Sequence, residues 1–171
     1  MNKMKNNKKI VIGIIAVLMV VALFIVAVVY SYNNQYSLEI IQLSPQGKNQ
    51  MMGYILKTKN NKIIVVDGGN PADKDNFMKY INENNKKVDY WFITHAHNDH
   101  ASVLVDVINN ENVQIDNIYV SLNEKEWYKE NEPARADFSG ILIDTLNKEE
   151  IKDKVTLPKL NEKIEVDRSK Y

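Results

Sequence analysis

Residues 10–30 (IVIGIIAVLMVVALFIVAVVY) carry no charged side chain. Few folds accept such a run. As a helix it rises about 30 Å, the thickness of a bilayer's hydrocarbon core. It has no polar face, which argues against a helix on the surface of a soluble core. A cleaved signal peptide would have an apolar region of about 7–15 residues ending in a small-x-small site. This run is longer, and Ala27-Val28-Val29-Tyr30-Ser31 is a poor cleavage site. The run therefore reads as an uncleaved transmembrane anchor. Lys3, Lys5, Lys8 and Lys9 precede it, and no acidic residue does. The positive-inside rule then expects residues 1–9 in the cytoplasm and the rest of a single-pass cell-membrane protein outside. Residues 31–37 (SYNNQYS) read as a polar tether, with Tyr30, Tyr32 and Tyr36 at the membrane interface.

The 171-residue chain has room beyond the anchor for one modest domain, residues 38–171. From Ser31 onward acidic residues outnumber basic ones by 22 to 18, and no basic patch stands out. Charge gives no sign of a nucleic-acid partner. The chain has no cysteine, so disulfides and thiolate metal ligands are excluded.

The domain alternates strand and helix patterns. Residues 38–43 (LEIIQL), 51–58 and 62–66 (KIIVV) read as strands. Between the last two, Lys59-Asn60-Asn61 suits a tight hairpin, because Asn accepts a left-handed backbone. The third strand runs into Asp67-Gly68-Gly69, where the glycines permit a sharp turn or a close backbone approach. Asn70-Pro71 starts a helix, with Phe77, Met78 and Ile81 on its apolar face and Asn84-Asn85 at its end. Residues 88–93 (VDYWFI) form a strand. Val103, Leu104, Val107 and Ile108 repeat at helical spacing, the mark of a core-facing helix. Residues 113–120 read as a strand and residues 123–130 as a helix. After Pro133, Phe138, Ile141, Leu142 and Leu146 mark another helix face. Residues 148–154 read as solvated surface, and residues 163–167 (KIEVD) alternate like one more strand.

All three histidines fall within residues 95–100, as His95-x-His97-x-Asp99-His100. Neutral imidazole nitrogens with a carboxylate suit zinc and similar divalent ions. On an extended segment His95 and His97 would point the same way and could grip one ion. Asp99 and His100, beyond a turn, could reach a second ion, with a hydroxide shared between the two. The motif follows a strand directly, at the end where α/β folds place their sites. Asp67 is either a turn residue or a carboxylate that orients the histidine loop from behind.

These residues carry a resemblance. The motif after VDYWFIT, with IIVVDGG before it, resembles the metallo-β-lactamase fold superfamily over roughly residues 38–167. Its detail is similar to the secreted or membrane-attached hydrolases of that family and to the β-lactamase-like domain of the bacterial competence protein for DNA uptake. The resemblance implies an α/β chain forming the N-terminal αβ half of an αββα sandwich. It implies that His95 and His97 bind a first metal, that Asp99 and His100 bind a second, and that Asp67 supports the loop. It implies zinc, with manganese or iron as alternatives. The implied activity is hydrolysis of an ester, amide or phosphodiester by a metal-bridged hydroxide, with Asp99 orienting the attacking water.

The family's later ligands, a third His, a bridging Asp and a last His, have no counterpart, because no histidine follows His100. The domain is therefore expected to be truncated at its C-terminus. The alternatives are an incomplete hydrolase, a non-catalytic remnant, or a half-domain completed by a second polypeptide. A half sandwich should also leave one sheet face and one strand edge uncovered.

Overall fold

The computed structural model describes residues 2–33 and 38–166. The chain divides into two compact units, Met1–Ser37 and Leu38–Tyr171. In the first, helix α1 spans Asn2–Asn33. Within it, Val11–Tyr32 is long and apolar enough to cross a membrane. Tyr30 and Tyr32 are exposed on the helix. Residues 31–33, the start of the expected tether, continue the helix rather than leaving it. No Gly or Pro falls within residues 30–33 to end the helix there. The rest of the tether, including Tyr36, lies outside the described residues.

The second unit is a mixed α/β layer. Strands β1 (Leu38–Gln42), β2 (Gly53–Thr58), β3 (Ile63–Asp67), β4 (Lys87–Ile93), β5 (Gln114–Val120) and β6 (Val155–Thr156) form one six-stranded sheet in chain order. β1, β2 and β3 pair antiparallel, and β3 through β6 pair parallel. The hairpin between β2 and β3 closes on Asn61, which is left-handed at φ 59°. The Asn61 N–H donates to the Thr58 carbonyl at 2.9 Å. Helices α2 (Lys74–Glu83) and α3 (Asn98–Asn110) supply the crossovers that parallel pairing demands. α4 (Lys125–Asn131) and α5 (Ala136–Leu146) follow β5.

Register sorts the sheet into two faces, because side chains alternate along a strand. Ile55, Val65, Trp91 and Ile118 stand side by side in register. All four are fully buried, in one core with Phe77 and Ile81 of α2, Val103, Leu104 and Val107 of α3, and Leu142 and Leu146 of α5. Gly53 marks how tightly this face packs, since a Cβ there would sit 2.3 Å from the Phe77 ring. The next row, Tyr54, Val66, Phe92 and Tyr119, points the other way and is only half-buried. Ile40 on edge strand β1 is exposed.

Three expectations change. Residues 163–166 form no strand, and Asp167 lies outside the described residues. Their alternation finds no partner strand, and a strand without a ladder does not form. The sixth strand is instead Val155–Thr156, too short to leave a pattern in the sequence. Within the stretch read as solvated surface, Ile151 is buried. Conversely, Ile141 is exposed, and α5 turns Ser139, Leu142, Thr145 and Leu146 inward.

Candidate metal centre

The site begins at the end of β3. Asp67 takes a left-handed backbone at φ 58°, which Asp tolerates better than most residues. That turn makes it a hub. Its carbonyl accepts the Trp91 indole N–H at 3.0 Å. Its carboxylate accepts the Thr94 N–H at 2.9 Å and the Thr94 hydroxyl at 3.0 Å. Asp67 Oδ2 also lies 2.9 Å from His100 Nδ1. The side chain is 3 % exposed. Gly68 lets α3 close on this corner, since a Cβ would stand 3.3 Å from the His100 carbonyl oxygen. Gly69 turns the chain at φ 61°, and its carbonyl accepts the Ser102 N–H at 3.2 Å.

The histidines leave the end of β4 on a bend, not on the extended segment that their spacing suggested. The His97 N–H donates to the His95 carbonyl at 3.0 Å, a local closure that an extended chain cannot make. His97 then caps α3, and Asp99 and His100 fall in the first helical turn. The bend still gathers the rings. The centroids of His95 and His97 are 4.4 Å apart, and those of His95 and His100 are 3.8 Å apart.

Each ring has a neighbour that bears on its protons. A carboxylate can only accept, so with a neutral ring the proton between Asp67 and His100 sits on Nδ1 and the Nε2 lone pair is left available. His100 Nε2 faces Asp99 Oδ2 at 3.7 Å. Asp99 Oδ1 is buried and has no hydrogen-bond partner among the described residues. His95 Nδ1 lies 3.0 Å from the Thr94 hydroxyl. Burial, and then the like charges of His100 and His97, hold the His95 pKa below the ordinary imidazole value. That favours the neutral ring, the form that binds a cation.

His97 has a partner that the sequence pattern did not reveal. Glu132 Oε2 lies 2.8 Å from His97 Nε2, across 35 residues of chain. It is the first of three grips from the corner between α4 and α5 and from the first turn of α5. Arg135 donates to the Asn98 side-chain oxygen at 2.8 Å. The buried Ser139 hydroxyl donates to the Ala96 carbonyl at 2.8 Å. Pro133 was the one local signal, because the residue before a proline leaves helical geometry and ends α4 there.

The family model for the metallo-beta-lactamase superfamily matches residues 52–166. The chain belongs to the metallo-β-lactamase superfamily. No curated protein matches it.

Members of this superfamily usually bind divalent metals, typically zinc. Among the described residues, no three His, Asp or Glu side chains already stand as a group arranged to hold an ion. The superfamily's donor types are nevertheless gathered here. Three imidazoles lie ring against ring, and beside them is a carboxylate oxygen that is buried with nothing to satisfy it. A buried, unpaired carboxylate oxygen is costly, and a cation would relieve it. In donor chemistry, though not in their present arrangement, these residues suit a divalent ion.

Proposed function

We propose that the chain is a membrane-anchored, metal-dependent hydrolase-type domain. In this reading His95, His97, Asp99 and His100 would hold one or two divalent ions, zinc foremost, with manganese or iron possible. The observation that carries it is the orphaned Asp99 oxygen beside three clustered imidazoles at the carboxyl end of β4. When bound, the ion supplies Lewis-acid activation of water and of a substrate oxygen. The protein's own residues supply the arrangement. Asp67 and Thr94 fix the loop, and Asp67 commits His100 to the tautomer with a free Nε2. In this reading Asp99 would orient water against a substrate carbonyl or phosphoryl group.

The substrate would be an ester, amide or phosphodiester. The acidic balance after Ser31 does not favour a nucleic acid as that phosphodiester. Helix α1 supports a single-pass topology with residues 1–9 in the cytoplasm, residues 10–30 as anchor and the domain outside the cell membrane.

A second reading is a half-domain completed by another polypeptide. The half-buried row Tyr54, Val66, Phe92 and Tyr119 favours it. The Phe92 and Tyr119 rings stack at 5.1 Å on the face opposite the core shared with α2, α3 and α5.

The test is hydrolysis of bis(p-nitrophenyl) phosphate and a chromogenic β-lactam by the full chain in detergent micelles, with and without zinc. Zinc-dependent turnover that Asp99→Ala and His97→Ala abolish would support the hydrolase. Turnover indifferent to both substitutions would reject it. No turnover, with activity restored by a co-expressed partner chain, would favour the half-domain.

A further inference from the structure

We infer that Glu132 is a positioning residue for His97, fixing which imidazole nitrogen can meet a metal ion. The inference rests on the reading of residues 95–100 as a metal site. Glu132 Oε2 lies 2.8 Å from His97 Nε2. A carboxylate can only accept, so with a neutral ring the proton must sit on Nε2. The lone pair is then on Nδ1, and His97 would present Nδ1 to the ion. The pair repeats, from the opposite side of the site, what Asp67 does for His100 at 2.9 Å. There the carboxylate takes Nδ1 and frees Nε2. The two carboxylates thus select opposite nitrogens on two rings of one cluster.

The placement of Glu132 is built, not incidental. Its two companions hold the residues on either side of His97. Arg135 binds the Asn98 side chain, and Ser139 binds the Ala96 carbonyl from a fully buried position. Residues 96–98 are therefore held at three successive points by residues 132–139. A carboxylate that orients a metal-binding imidazole typically changes metal affinity by about 10- to 100-fold. The His97–Glu132 pair is partly exposed, at 27 % and 33 %. Its loss should therefore leave the fold intact while moving affinity.

The experiment uses the full chain in detergent micelles, as wild type, Glu132→Ala and Glu132→Gln. Two quantities are read. Long-range nitrogen–proton NMR spectra of the metal-free protein, taken above the imidazole titration range, report the His97 tautomer. Competition with a chromophoric chelator reports zinc affinity. The wild type should show His97 protonated on Nε2. Glu132→Ala should lose that preference and bind zinc about 10- to 100-fold more weakly. Glu132→Gln keeps a side-chain oxygen that can accept the proton, so it should restore both. A wild-type His97 protonated on Nδ1 overturns the inference. So does a Glu132→Ala protein that binds zinc as tightly as wild type or more tightly, the mark of an idle or blocking contact. If zinc binding depends on His97 and not on Glu132, only this inference falls. If the wild type binds no zinc at all, the metal-site reading falls and takes this inference with it.

Discussion

Two carboxylate–imidazole pairs flank the histidine cluster, and they differ in nearly everything but distance. Asp67 reaches His100 at 2.9 Å, and Glu132 reaches His97 at 2.8 Å. Asp67 is buried at a strand end and also holds Thr94 and, through its carbonyl, Trp91. Glu132 is one-third exposed, in a connection between two helices, and among the described residues its carboxylate meets His97. The contrast separates two duties. Asp67 belongs to the fold as much as to the site, whereas Glu132 serves the site only. Two contacts of similar length should therefore respond very differently to deletion.

The largest expected effect tests the buried side. Asp67→Ala strands the Thr94 N–H, the Thr94 hydroxyl and His100 Nδ1, and puts Ala in a left-handed backbone. We expect a loss of about 3 kcal/mol in urea unfolding followed by tryptophan fluorescence. A loss below about 1 kcal/mol would erase the distinction between the two pairs. Asp67→Asn tolerates the same backbone, so it should recover part of the loss and separate charge from conformation.

Next in size is Ser139→Ala, which leaves the buried Ala96 carbonyl without its donor. It should cost about 1–2 kcal/mol by the same assay. That outcome would show that Ser139, not Glu132, is the structural anchor on the downstream side. Glu132→Ala itself should cost less than about 1 kcal/mol, as partly exposed pairs do, while weakening zinc binding. A loss as large as that of Asp67→Ala would break the comparison.

The Lys74–Asp106 pair, at 2.9 Å on the surface and away from the site, gives a baseline. Its hydrogen bond to Lys74 holds the Asp106 carboxyl below the usual carboxylate range. The folded state therefore binds fewer protons than the unfolded state there. The stabilisation is present at neutral pH and disappears as pH falls through the lowered pKa. Asp106→Asn should be the mildest of these variants, and its unfolding midpoint should converge with wild type in acid. A gap that widens in acid would contradict the sign.

Strong local patterns were legible in the sequence, and long-range ones were not. Strands β2 through β5 stood out because β-branched and aromatic runs are bounded by Asn, Gly and Pro. Helix α3 stood out because Val103, Leu104 and Val107 recur with its turn. The left-handed Asn61 and the close approach at Gly68 followed from residue type alone. The KIEVD alternation misled, because a strand needs a neighbour and Val155–Thr156 holds the sheet's edge position instead. The extended reading of His95 and His97 failed because the His97 N–H turns back on the His95 carbonyl within the loop. Glu132 was invisible for a different reason. A lone glutamate before a proline carries no chemistry of its own, and only tertiary packing brings it to an imidazole 35 residues away.

The most direct measurement is zinc retention. The purified full chain in detergent is dialysed against metal-free buffer and analysed by atomic emission, beside a His95→Ala/His97→Ala variant that still folds. We expect zinc in stoichiometric amount with the wild type and almost none with the variant. Equal zinc in both, or none in the wild type even after loading, would contradict it.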